Sequence, residues 1–115
     1  MTHNTLSIAK SYYTAISEKN LTDVETYLHP DVRFISPVGE QMGKEAFLKS
    51  VKTLTTLFKT LTIRAMFDTE DQAMLAYDLD FHAPIGNVRT AALLTFQKEL
   101  IIKIELFFDA RPFDK

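Results

Sequence analysis

Apolar residues recur three and four apart through the first half of the chain and two apart through the second, a change of period that separates helices from strands. Leu6, Ala9, Tyr13 and Ile16, with Tyr12 beside them, predict a first helix with Asn4 or Thr5 as its N-cap. Asn20 or Thr22 starts a shorter helix whose stripe is Leu21, Val24, Tyr27 and Leu28. Pro30 has no N–H and disfavours helix at His29, so it is expected to end that helix. Val32 to Ser36 reads as a strand, the stretch Pro37 to Gly43 as a loop, and Lys44 onward as a third helix with Phe47, Val51, Leu54 and Phe58 on one side. Leu61, Ile63, Ala65 and Phe67 then alternate with more polar neighbours. Gln72 to Phe81, Val88 to Gln97 and Leu100 to Phe108 complete four successive strands, parted by turn residues at 68–71, 84–87 and 98–99.

Helices followed by a run of antiparallel strands predict an α+β domain, three helices packed on one face of a curved sheet. The strand parities name the two faces. Leu75, Tyr77, Leu79 and Phe81, then Thr90, Ala92, Leu94 and Phe96, then Ile102, Ile104, Leu106 and Phe108 should line the concave, helix-covered side. The opposite parity carries Met74, Ala76, Asp78, Asp80 and His82, then Arg89, Ala91, Leu93, Thr95 and Gln97, then Ile101, Lys103, Glu105 and Phe107. Its apolar members, Ala91, Leu93, Ile101 and Phe107, would leave apolar area in water on a monomer, so a homodimer through this face is expected.

With 115 residues the chain suits one domain spanning 1–115, long enough for a core without disulfides. Thirteen basic against fifteen acidic side chains give a net charge of −2, without a basic run, which argues against nucleic acid or an anionic membrane as partner. Cysteine is absent, which removes thiol chemistry and cysteine metal sites. The sequence has neither a signal-like N-terminus nor an apolar run of membrane-spanning length, so a cytoplasmic location is expected. Asp78, Asp80 and His82 stand at alternate positions, but further ligands are lacking, and neither metal nor cofactor is called for.

Several residues carry candidate chemistry. Ser36 either meets a ligand or caps the turn that follows it. Tyr12, Tyr13 and Tyr77 could present phenols to a pocket. His29 stands at a helix end, and Asp109 just past the last strand, with Arg111 as an ion-pair partner two residues on.

Tyr12-Tyr-Thr-Ala-Ile16 with Asn20-Leu21, Asp31-Val-Arg-Phe34, Ser36-Pro-Val-Gly39, Gly43, and Ile104-Glu-Leu-Phe-Phe-Asp-Ala-Arg-Pro-Phe113 stand in an order that resembles the nuclear transport factor 2-like superfamily. That superfamily includes ketosteroid isomerases and SnoaL-like polyketide cyclases. The resemblance implies a cone-shaped α+β barrel whose helices and curved sheet enclose a pocket for a small, largely apolar molecule, and commonly a homodimer. In the isomerases an aspartate moves the proton at the position held here by Ser36, and a protonated acid stands on the strand where this chain has Ala92 and Leu94. Related epoxide hydrolases keep an arginine two residues before an acid, a pattern that Arg89-Thr-Ala91 lacks.

These readings converge on a binding protein for a small apolar molecule, its pocket lined by Tyr12, Phe34, Ser36, Met42, Phe47, Tyr77, Phe81, Phe96 and Leu106. An enzyme of the cyclase or isomerase type, using Asp109 or His29 as proton carrier, is the alternative from another class. A ligand-free dimeric interaction module is the third.

Overall fold

Residues 5–113 are described by a computed structural model. Helix α1 covers Thr5–Ser17, α2 Leu21–Thr26 and α3 Lys44–Thr55; the strands are β1 Leu28–Ser36, β2 Gly39–Met42, β3 Phe58–Asp68, β4 Gln72–Phe81, β5 Asn87–Gln97 and β6 Leu100–Phe108. A single turn of 3-10 helix at Arg111–Phe113 follows. One six-stranded sheet holds all the strands in the order β2-β1-β6-β5-β4-β3. Every neighbouring pair is antiparallel except β1 with β6. The fold is thus α+β, three helices on a curved, mainly antiparallel sheet whose edges β2 and β3 stay unjoined. Among the described residues no helix is long and apolar enough to cross a membrane.

Local chemistry accounts for most boundaries. Asn20 caps α2, its side chain accepting from the Asp23 N–H at 3.2 Å. Lys98 and Glu99 both hold left-handed backbone, with φ of 52° and 66°, as the two-residue turn between β5 and β6 demands. The Asn4 cap lies outside the described residues.

Three expectations need correction. Helix α2 stops at Thr26, not at Pro30, because Leu28 is already paired in parallel with Ile101, and the Ile101 N–H donates to the Tyr27 carbonyl at 2.9 Å. Pro30 falls instead in the register break between Leu28 and Arg33, where its missing N–H costs no ladder bond. The stretch 37–43 is a hairpin rather than a loop: Ser36 pairs with Gly39 across the Pro37-Val38 turn, and β2 follows. Phe58 belongs to β3, where it is fully buried, and not to the stripe of α3.

Two of the β-bulges overturn the expected faces. One, between Ile63 and Ala65, brings Met66 opposite buried Leu75 and turns Phe67 out to 69% exposure opposite Met74. The other sets Thr95 against Lys103 but Phe96 against Ile101, so fully buried Ile101, and not Ile102, is the inward residue. Ile101 therefore leaves the outer apolar set. On that outer face Asp78 pairs with Arg64 at 3.1 Å, Asp80 with Lys59 at 3.7 Å, and Glu105 with Lys103 at 3.3 Å. His82 is exposed.

The core is unevenly filled, and that unevenness sets up the site. Ala73, Leu75, Ala92, Leu94, Phe96 and Ile101 pack solidly at one end of the sheet. The far ends of β4, β5 and β6 curve away and leave a hollow beneath α1 and α3.

Candidate functional site

The hollow measures about 370 Å³, within the range of small-molecule pockets. From the sheet it is lined by Leu61, Tyr77, Leu79, Phe81, Val88, Thr90, Ile104, Leu106 and Phe108. Tyr12, Tyr13 and Ile16 of α1 and Phe47, Ser50, Val51 and Leu54 of α3 roof it, with Phe34, Ser36 and Gln41 from the β1–β2 hairpin. Val38, Leu57 and Phe113 stand at its rim, the first two 64% and 44% exposed. Phe113 meets Phe81 and Phe108 edge-on, with centroids 5.2 and 5.6 Å away, so the chain's last described turn closes part of the mouth with an aromatic ring.

Three phenols dominate the polar side of the wall. Tyr12, Tyr13 and Tyr77 are 2–3% exposed and lie ring to ring: Tyr12 and Tyr13 at 4.8 Å edge-on, Tyr13 and Tyr77 at 4.8 Å tilted. Burial raises the pKa of all three well above the usual phenol value, because a phenolate here would have lost its water; a hydrogen bond joins Tyr13 and Tyr77. All three hydroxyls therefore stay protonated at neutral pH, that of Tyr13 being spent on Tyr77. Thr90, the cross-strand partner of Tyr77, adds a buried hydroxyl.

Among the described residues the rest of the wall is nearly without charge: no lysine, arginine or histidine lines it, and Glu40, the one acid among them, is largely exposed and paired with Arg33 at 3.3 Å. Ser36 sits on the wall, but its hydroxyl is engaged in the turn, accepting from the Val38 N–H at 3.2 Å and donating to the Gly39 carbonyl at 3.3 Å. No general base stands at that position.

Of the residues expected in the pocket, the fold gathers Tyr12, Phe34, Ser36, Phe47, Tyr77, Phe81 and Leu106 around one hollow, with the Phe34 and Phe47 rings 4.9 Å apart. Met42 is not among them. It pairs with outward Arg33 in the hairpin and is 66% exposed, whereas Gln41, opposite Phe34, faces in. Phe96 is buried, but at the solid end of β5; the hollow begins at the other end of that strand, at Val88 and Thr90. His29 and Asp109 do not reach the wall either. The His29 Nδ1 accepts from the Asp31 N–H at 2.9 Å, and Asp109, with Arg111, forms an exposed clamp whose closest contact is 2.5 Å. Hydrogen bonds from Arg111 hold the Asp109 carboxyl down to about 2.

Thr90, Gln41, Ser50 and Phe113 were not expected on the wall. A hydroxyl inside the apolar row of β5 was the legible trace of Thr90. Gln41 faces in because β2 is a strand in register with β1, which sets it opposite Phe34.

The model of the SnoaL-like domain matches residues 9–104. Among curated protein sequences, none matches. A Kribbella flavida protein of known structure superposes with a TM-score of 0.91 at 20% identity, covering 98% of this chain and 93% of its own. An NTF2-like protein of unknown function from Cytophaga hutchinsonii gives 0.88 at 20% identity, covering 100% and 98%. A steroid delta-isomerase from Pseudomonas aeruginosa gives 0.79 at 16%, covering 95% and 82%. At such identities the likeness carries the fold alone.

Proposed function

From the premise that this chain belongs to the family of SnoaL-like domains, within the NTF2-like superfamily, we propose that its cavity binds a small, largely apolar molecule. The observation that carries this reading is the hollow itself: about 370 Å³, apolar on most of its wall, with three neutral phenols turned to one side. Close packing is the ordinary condition of a core, and an unfilled volume of this size forfeits dispersion contacts that an occupant restores. Tyr12, Phe34, Ser36, Phe47, Tyr77, Phe81 and Leu106 form the binding wall, joined by Tyr13, Thr90 and Phe113.

Binding is preferred to proton-transfer catalysis because neither Asp109 nor His29 reaches the hollow and Ser36 spends its hydroxyl on a turn. A ligand-free role is disfavoured by the hollow. The partner across the outer sheet face is a second copy, supported by the exposed apolar side chains of Phe67, Met74 and Phe107 together with Leu93.

Fluorescence titration with 2-ethylnaphthalene, an uncharged bicyclic hydrocarbon, tests the reading. Saturable binding at one site per chain is expected, with stabilisation of about 2.7 kcal/mol at a hundredfold excess over Kd. An unchanged melting temperature and no saturable signal would remove its basis.

A further inference from the structure

Val38, Leu57 and Phe113 border the mouth of the cavity, and they are not held alike. Leu57 lies between α3 and β3, and its carbonyl accepts from the His82 N–H at 3.2 Å, which ties that corner to the residue after β4. Val38 sits in the β1–β2 turn, where its N–H donates to the Ser36 Oγ at 3.2 Å and Ser36 pairs with Gly39. Phe113 belongs to the turn after β6. The sheet ladder stops at Phe108, the partner of Thr90. Among the described residues, the hydrogen bonds and ion pairs of 109–113 all close within that segment. The Arg111 N–H donates to Asp109 Oδ1 at 3.0 Å, the Arg111 guanidinium grips both oxygens of the same carboxylate, and the Phe113 N–H donates to the Ala110 carbonyl at 3.0 Å. The Arg111 side chain is 90% exposed, so this clamp faces water rather than the body of the protein. The contact that seats the turn on the cavity is the Phe113 ring, edge-on to Phe81 and Phe108.

These anchorages differ in what it takes to undo them. Displacing Leu57 or Val38 strips a backbone group of its partner. Edge-on ring contacts part without leaving any donor or acceptor unpaired. The turn can therefore lift as a preformed unit with its own bonds intact, uncovering Phe81 and Phe108 at the mouth. Segments so lightly tied open at a free energy far below that of global unfolding.

We propose that the turn from Asp109 to Phe113 is a gate on the cavity: with Phe113 seated on Phe81 and Phe108 an occupant is retained, and with the turn lifted small apolar molecules enter and leave. The Asp109–Arg111 clamp keeps the turn folded in both positions, so the ring returns to the same seat. This rests on the binding reading of the cavity and adds to it what regulates exchange. A ring that served only as a fixed piece of wall would slow escape and leave entry alone; a gate governs both.

Stopped-flow fluorescence with 2-ethylnaphthalene measures the two rates separately. A minor state commonly holds about 0.1–10% of the population, and entry through that state alone is reduced by the same fraction. Phe113→Ala should therefore raise the association rate constant roughly tenfold or more, and the dissociation rate constant with it, so that Kd changes far less than either. Phe113→Leu, which also loses the ring contacts, should move both rates in the same direction and serves if the alanine variant does not fold. Leu57→Ala, at the same rim but pinned through its backbone, should leave association as in native protein. Faster dissociation with unchanged association in the Phe113 variants, no change in either rate, or equal acceleration of entry by Leu57→Ala overturns the gate and leaves the binding reading standing. If neither native protein nor Phe113→Ala binds the hydrocarbon saturably, the cavity reading falls and the gate with it.

Discussion

Removing the hydroxyls of Tyr13 and Tyr77, singly and together, should show a coupling that neither residue displays alone. Both side chains are 3% exposed, and a hydrogen bond joins them. Tyr13→Phe deletes that bond, worth about 1 kcal/mol net, and leaves the Tyr77 oxygen buried without its partner, which raises the loss to about 1–3 kcal/mol. Tyr77→Phe mirrors it. In the double variant no orphaned oxygen remains, and two phenyl rings about 4.8 Å apart keep their contact, so the total loss should stay near 1 kcal/mol. The expected coupling, the double loss less the two single losses, is then about 1–5 kcal/mol in magnitude, the second substitution recovering part of what the first lost. Urea unfolding of the four proteins measures it as shifts in midpoint at constant slope. For a chain of this size each kcal/mol also moves the melting temperature by about 3–6 °C. Strict additivity would refute the reasoning: it would mean that water in the hollow already satisfies the two oxygens.

Asp109 should titrate near 2 in a carbon-detected NMR experiment and return toward 4 in Arg111→Ala. Because its folded value lies below the unfolded one, the stability it contributes is complete above about pH 4 and is lost as the pH falls toward 2; Asp109→Asn should abolish that part of the acid dependence. For the phenols the sign is reversed: pKa values raised in the folded state make stability fall as the pH climbs above about 10. Phenolate absorbance near ~295 nm from Tyr12, Tyr13 and Tyr77 should appear only as far-UV dichroism is lost, and earlier ionisation would contradict their burial. If two copies meet through the outer sheet face as proposed, native protein should sediment as a dimer at micromolar concentration and Leu93→Glu as a monomer; a native protein that is itself monomeric would count against that contact. Turnover of an unsaturated ketosteroid should be undetectable, since a positioned proton carrier is worth roughly a hundred- to ten-thousand-fold and Ser36 cannot act as one. Ser36→Asp should not restore it, because Ala92 and Leu94, fully buried, supply no acidic oxyanion donor.

How much was readable before the fold depends on what each residue answered to. The periodicities of α1, α3 and β4 are long and consistent, which makes the elements legible, although the stripe of α3 runs on into Phe58 of β3. The bulges at Arg64 and Ile102 are set by cross-strand register, which leaves no local mark, so Phe67 falls out of the alternation that begins at Leu61, and Ile101 and Ile102 exchange the faces that parity predicts. The same blindness hid β2. Four residues after a proline turn carry little pattern, and with the hairpin unseen, exposed Met42 took the place that belongs to Gln41. Phe96 has the right parity and the wrong position along its strand, since where a curved sheet stops being solidly packed is a property of the assembled layers. The phenols were legible as candidates because buried tyrosines need partners.

The parallel pairing of β1 with β6 has a consequence for how the chain acquires its structure. Its paired residues, such as Arg33 with Lys103, stand about seventy positions apart, and β1 has only the four-residue β2 on its other side. On the ribosome α1, α2 and the β1–β2 hairpin emerge long before β6 exists, so Leu28 and Val32 have no β6 to pack beside until that strand has been made. Folding of the hairpin should therefore be a late event, and a nascent chain arrested before Leu100 should expose those side chains to chaperones even while β3, β4 and β5 are already able to pair.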